Sequence, residues 1–161
     1  KVWPQIKAAV PAAELELWGY ANDNFDEQLK DLVEQLQIKG SVHFKGYTSD
    51  VAQVYDRAQV MVLPSRAEGL PLSLVEGQSH GVPIVANDIK YGPAAVVIDG
   101  QDGYLTQNGD GEGLAKAIIN LLSHPDRLHQ FSDQAYQDSE RYSEANVMQL
   151  WQKLISIVEG E

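Results

Sequence analysis

Short apolar runs alternate with longer amphipathic stretches along most of the chain, the pattern of strands and crossover helices that builds a parallel sheet. Five runs predict strands: 15–20 (Leu-Glu-Leu-Trp-Gly-Tyr), 42–45, 60–63, 83–86 and a weaker 103–106. Helical spacing appears between them, with Leu29, Leu32, Val33 and Leu36 on one face of 26–36 and Val51, Val54 and Tyr55 on one face of 50–58. Val60, Met61, Val62 and Leu63 are apolar at every position, which predicts a central strand buried on both faces. The stretch 71–81 predicts a helix with Pro71 in its first turn, where a missing N–H loses no bond, and Gly81 at its carboxyl end. Pro83 then prevents continuation. From Gly113 onward the pattern is helical only, over 114–122, 125–142 and 143–158. No repeat, low-complexity tract or long linker divides the chain, so the expected fold class is α/β, one Rossmann-like domain over 1–161.

Composition narrows the chemistry. The chain has 161 residues, 43% of them hydrophobic, enough for one packed core and no more. Twelve Lys and Arg against 23 Asp and Glu leave a net charge of −11, which excludes a broad basic surface for nucleic acid while leaving room for a local phosphate pocket. The absence of cysteine removes disulfides, zinc thiolates and thiol nucleophiles. No apolar run approaches the roughly 20 residues of a membrane span and no signal peptide pattern opens the chain, so a cytoplasmic location is expected. The chain begins at Lys1-Val2-Trp3 without an initiator Met and reads as part of something longer.

The stretch from Pro64 to Gln78 carries the candidate chemistry. It follows a strand and opens a helix, the carboxyl edge at which open α/β sheets bind ligands. A helix start offers unpaired amides and the positive end of the macrodipole, which together suit a phosphate. Pro71 has no N–H, so the donors are expected from Gly69, Leu70, Leu72 and Ser73. Glu68 precedes the helix and Glu76 lies five residues into it, about 7–8 Å from its start at 1.5 Å per residue. A phosphate at the helix tip would have a carboxylate on either side, an arrangement suited to a nucleotide sugar.

These residues resemble the donor-binding motif of retaining glycosyltransferases with the GT-B fold. The likeness rests on Glu68-Gly69-Leu70-Pro71-Leu72, Glu76, and Gly81-Val82-Pro83-Ile84-Val85-Ala86. It extends upstream through Phe44-Lys45-Gly46-Tyr47 and downstream through Asp99-Gly100 and Gly103-Tyr104-Leu105. The resemblance implies the carboxyl-terminal half of such an enzyme, with a Rossmann-like three-layer parallel sheet, a nucleotide-sugar donor and no metal or other cofactor. It implies Glu68 near the hexose and reacting centre, Glu76 on the ribose hydroxyls, and Tyr47 lining the base pocket. Gly19 matches the first glycine of a Gly-x-Gly, with Ala21 in place of the second. Lys1 falls where such enzymes carry a diphosphate-clamping lysine, and the companion arginine would lie upstream. Asp88-Ile89-Lys90-Tyr91-Gly92-Pro93 looks like the enzymes that place glucose or N-acetylglucosamine on wall teichoic acid or serine-rich surface proteins, which adds Tyr91 and Gly92 to the donor site; Ala95 replaces an acidic residue common in that subgroup. A UDP-linked donor, a bacterial acceptor, retention of configuration and a separate amino-terminal acceptor domain follow as expectations.

Other signals are set aside. Asn108 to Gly113 imitates a calcium loop, but Ile119 stands where the bidentate Glu belongs, so a loop and helix cap are expected. His80 is expected to pack or cap, and no histidine pair has zinc spacing. Three rival functions remain. A non-catalytic subunit scaffolding an active partner is disfavoured by the presence of both glutamates. A glycoside hydrolase would need its two carboxylates about 5–5.5 Å apart, closer than a helix start between them permits. An oxidoreductase lacks Gly-x-Gly-x-x-Gly after the first strand. The last helix should show apolar exposure near Trp151, since in the look-alike family it returns toward the other half.

Overall fold

Among the described residues, every strand runs parallel to its neighbour. A computed structural model describes residues 1–19 and 23–160, the side chains of residues 23–25 excepted. The order is α1 (Trp3–Ala9), β1 (Leu15–Trp18), α2 (Asp23–Gln35), a 3₁₀ turn (Lys39–Ser41), β2 (Val42–Gly46), α3 (Val51–Tyr55) and β3 (Met61–Leu63). There follow α4 (Leu72–Ser79), β4 (Ile84–Asp88), α5 (Pro93–Val96), β5 (Gly103–Gln107), α6 (Gly111–Ser123), α7 (Pro125–Ser139), a second 3₁₀ turn (Glu140–Tyr142) and α8 (Glu144–Glu159). Strand β1 pairs with β2, and β3, β4 and β5 form a second sheet with β4 in the middle.

The expected doubly buried strand is β4 rather than β3. Ile84, Val85 and Ala86 are wholly buried because β4 has a hydrogen-bonded neighbour on each side, whereas β3 borders the sheet and stays half-buried. Adjacent positions on β4 serve opposite layers, as strand geometry requires. Val85 joins a core with Trp3 and Ile6 of α1, Val33 of α2, Val42 of β2, and Leu114, Ile118 and Leu121 of α6. Ile84 and Ala86 join a second core with Leu74 of α4 and Val96 of α5. Helices therefore cover both faces, the three-layer arrangement expected. At roughly 1.5–3 kcal/mol per buried aliphatic side chain, these two clusters dominate the stability of the fold.

Several local expectations change. The strand 15–20 ends at Trp18, and Tyr20 lies outside the described residues. Helix 50–58 contracts to α3, which buries none of its residues and leaves Val51 exposed; Asp50 caps it by accepting from the Gln53 amide at 3.2 Å. Pro71 stands just before α4 with extended ψ, not within the first turn. Two helices have no counterpart in the sequence reading. One is α1, where Trp3 is buried and donates from Nε1 to Ser41 Oγ at 2.9 Å; the other is the four-residue α5. Asp110 caps α6 by accepting from the Gly113 amide at 2.8 Å, the cap expected of the calcium-like loop.

A buried polar knot ties the end of α4 to the chain before β5. Asp102, wholly buried, accepts from the Ile98 amide at 2.7 Å and from Gln78 Nε2 at 2.8 Å. Gln78 also donates to Val96 O at 3.2 Å, and Arg141 Nη2 donates to the same carbonyl at 2.7 Å. Burial, helped by the nearby Asp138 charge, pushes the Asp102 carboxyl up to about 6 from an ordinary 3.8, against the opposing pull of its hydrogen bonds. Below about pH 4 the group is protonated in folded and unfolded chains alike. As pH rises toward about 6 the unfolded chain releases its proton first, so this group's contribution to stability falls, by up to about 3 kcal/mol. Denaturant unfolding between pH 4 and pH 7 should show that fall, and the Asp102→Asn protein should lack it.

Candidate functional site

Glycines mark the strand ends on the carboxyl edge. The Gly19 amide, just past β1, donates to Gly46 O at the end of β2 at 2.8 Å, and both glycines hold positive φ, 105° and 68°. That pairing turns the chain outward and leaves Tyr47 66% exposed. Ala21 lies outside the described residues. Near the end of β4, the buried Asn87 donates from Nδ2 to Ser65 O at 3.2 Å, tying the loop that carries Glu68 to that strand.

Pro71 ends that loop and α4 begins at Leu72. The Leu74 amide is used by Pro71 O at 2.9 Å, whereas the amides of Gly69, Leu70, Leu72 and Ser73 donate to no acceptor among the described residues. These four, with the dipole of α4 behind them, can receive an anion. Glu68 is half-buried beside them and Glu76 is exposed on the second turn of α4. Leu70 and Leu72 are large apolar side chains left 49% and 62% exposed, as are Tyr47 and Tyr91 on the neighbouring loops. Among the described residues, the rest of the large exposed apolar positions fall mostly on α8, including Trp151 at 56%, the exposure expected there.

Gly92 brings a second loop against the first. Its φ of 104° and ψ of −91° belong to glycine alone, and a Cβ there would lie 2.7 Å from Gly69 O and 2.9 Å from Glu68 Cβ. The 88–93 loop thus rests its backbone on the Glu68 loop, and the exposed Tyr91 ring beside it carries the Lys90 ammonium 5.0 Å from its centroid. Contact therefore joins Glu68, Gly69, Pro71 and Gly92. Lys1 is exposed and makes no hydrogen bond or ion pair with any of these residues. Two cavities, about 320 Å³ beside Pro83 and Leu128 and about 520 Å³ along β2 beside Phe44, include neither Glu68 nor Glu76. The candidate site is the open edge beside the start of α4, where Glu68 and the unengaged amides lie, because those two cavities lack that chemistry.

One contact at the site is not legible in the sequence. Tyr55, read there as an apolar helix residue, donates its hydroxyl to Glu76 Oε2 at 3.2 Å. His80, at the end of α4, packs its ring 5.5 Å from the Tyr55 ring and bonds Asp56 at 2.7 Å, the packing and capping role expected.

Comparison with known proteins gives these residues a setting. The family model "Glycosyl transferases group 1" matches residues 1–138. The chain is 32% identical over 151 residues to a poly(glycerol-phosphate) alpha-glucosyltransferase of Bacillus subtilis, covering 94% of this chain and 22% of that protein. It is 28% identical over 138 residues to a poly(ribitol-phosphate) alpha-N-acetylglucosaminyltransferase of Staphylococcus aureus, covering 85% and 28%. Among solved structures, a mutant of S. aureus TarM in complex with fondaparinux, alpha-GlcNAc-glycerol and UDP superposes with a TM-score of 0.85 at 26% identity, over 92% of this chain and 30% of that one. The chain spans well under half the length of each of these three. Among the described residues, no helix is long and apolar enough to cross a membrane.

Proposed function

Since the chain belongs to the group 1 glycosyltransferases, we propose that residues 1–161 form one donor-binding domain that holds a UDP-linked glucose or N-acetylglucosamine. The whole protein would move that hexose to a bacterial acceptor with retention at the anomeric carbon and without a metal. The observation that carries this reading is the meeting of two loops at the start of α4, where Gly92 rests on Gly69 and Glu68 beside four unengaged amides. The diphosphate would accept from the amides of Gly69, Leu70, Leu72 and Ser73, with Lys1 and an upstream arginine as counter-charges. Glu76 would accept from the ribose hydroxyls, Tyr47 and Gly19 would line the base, and Tyr91 and Gly92 would close over the hexose.

In the transfer step the bond from the anomeric carbon to the β-phosphate oxygen breaks and its electron pair stays on that oxygen. The acceptor hydroxyl forms the new bond on the same face, and its proton passes to the departing diphosphate. The dipole and amides at the helix start stabilise the charge that develops on that leaving group, and Glu68 stabilises the positive charge on the sugar. An acceptor domain preceding this one would supply the hydroxyl, and the exposed apolar face of α8 would lie against it.

Titration of the isotope-labelled domain with UDP tests the reading directly. Backbone amide shifts are expected to move at 69–76, at Tyr47 and at 91–92. Saturable binding with those signals unmoved would refute the assignment.

A further inference from the structure

Glu76 is an exposed carboxylate on a helix surface, and an exposed glutamate is ordinarily free to sample several rotamers. Here one of its oxygens is taken: Tyr55 Oη donates to Oε2 at 3.2 Å. The donor comes from α3, five residues long and without a buried side chain, so α3 itself cannot supply the rigidity. The ring is instead held by α4. The ring lies against Gly77, where a Cβ would stand 3.7 Å from Tyr55 Cε1, the distance of ordinary packing, and 3.0 Å from Met61 Sδ. The ring also meets His80, with centroids 5.5 Å apart, and His80 Nδ1 bonds Asp56, the next residue after Tyr55.

We propose that Tyr55 is a positioning residue for nucleotide binding, its hydroxyl holding Oε2 of Glu76 so that Oε1 is presented to the ribose diol. The proposal rests on the reading of Glu76 as the ribose acceptor. Burial, then the Glu76 charge, pushes the Tyr55 hydroxyl up to about 12, so it is a donor around neutral pH. A carboxylate fixed before the ligand arrives loses less rotamer freedom on binding.

The test is calorimetric titration of the full-length wild-type, Tyr55→Phe and Glu76→Ala proteins with UDP and with 2′,3′-dideoxyuridine diphosphate. Glu76→Ala should weaken UDP at least tenfold and bind the two nucleotides alike. Tyr55→Phe removes one hydroxyl and no packing; it should weaken UDP about 3- to 10-fold, the range of one hydrogen bond, and leave the dideoxy nucleotide unchanged. If Glu76→Ala binds UDP as tightly as the wild type, the reading of Glu76 falls and the role of Tyr55 with it. Should Glu76→Ala weaken UDP while Tyr55→Phe matches the wild type, the positioning role alone is wrong. Equal weakening of both nucleotides by Tyr55→Phe would mark a role in folding and also overturn the proposal.

Discussion

Replacing Glu68 by Gln in the full-length protein is expected to lower the rate of hexose transfer by about two to three orders of magnitude, with donor affinity changed by less than about tenfold. The residue is half-buried on the loop before α4, and its Cβ sits 2.9 Å from where a side chain on Gly92 would begin. The surrounding backbone therefore limits where it can move. Glutamine keeps the volume and an acceptor oxygen but removes the charge that, on the proposed reading, would steady a positively charged sugar in the transition state. That charge matters most when bond breaking is advanced, so kcat should fall further than binding. Steady-state kinetics beside UDP binding separates the two quantities. An unchanged kcat would take Glu68 out of the chemistry, whereas a wild-type protein without any transfer activity would favour the scaffold reading.

The second large effect is expected at Gly92. Alanine there meets two penalties at once: a backbone conformation of φ 104°, ψ −91° that side-chain-bearing residues avoid, and a Cβ 2.7 Å from the Gly69 carbonyl oxygen. The obstacle is backbone, so relief requires one loop to move away from the other. We expect a loss of about 2–4 kcal/mol in unfolding free energy, together with at least tenfold weaker UDP binding, because the displaced loop carries the Gly69 and Leu70 amides proposed to hold the diphosphate. Gly100 provides the control: its φ is 75° but a Cβ would meet nothing within 4 Å. Gly100→Ala should show only the conformational penalty, about 1 kcal/mol. Equal melting temperatures for the two variants would mean that the loops are not in contact.

Much of the architecture is written in local pattern, and the failures share one cause. Every predicted strand has a counterpart because short apolar runs bounded by Gly and Pro occur at each. Which run lies innermost is a property of pairing, and Met61–Leu63 and Ile84–Asp88 are too alike in composition for periodicity to rank them. The helix α1 escapes the pattern because its seven residues bury only Trp3 and Ile6, too few to display a period, and α5 has only four residues. The helix start, Glu68 before it and Glu76 within it follow from spacing in the chain, while the roles proposed for the two glutamates rest on the resemblance. Tyr55 does not follow from spacing, since it lies 21 residues from Glu76 and its contact depends on how α3 packs beside Gly77 and His80 of α4. Asn87 is hidden in the same way, because its partner, the Ser65 carbonyl, lies 22 residues back.

The two sheets have a consequence for ligand linkage. Among the described residues no backbone ladder joins the β1–β2 pair to the other three strands; side chains such as Val42 and Val85 bridge the seam within one core. What joins the two sheets is therefore apolar packing and not a hydrogen-bonded ladder. Gly19 and Tyr47 stand on one bank of the seam, Glu68 and Gly92 on the other. A nucleotide sugar gripped from both banks would work as a removable clasp, and its affinity would include the free energy of holding the two halves in register.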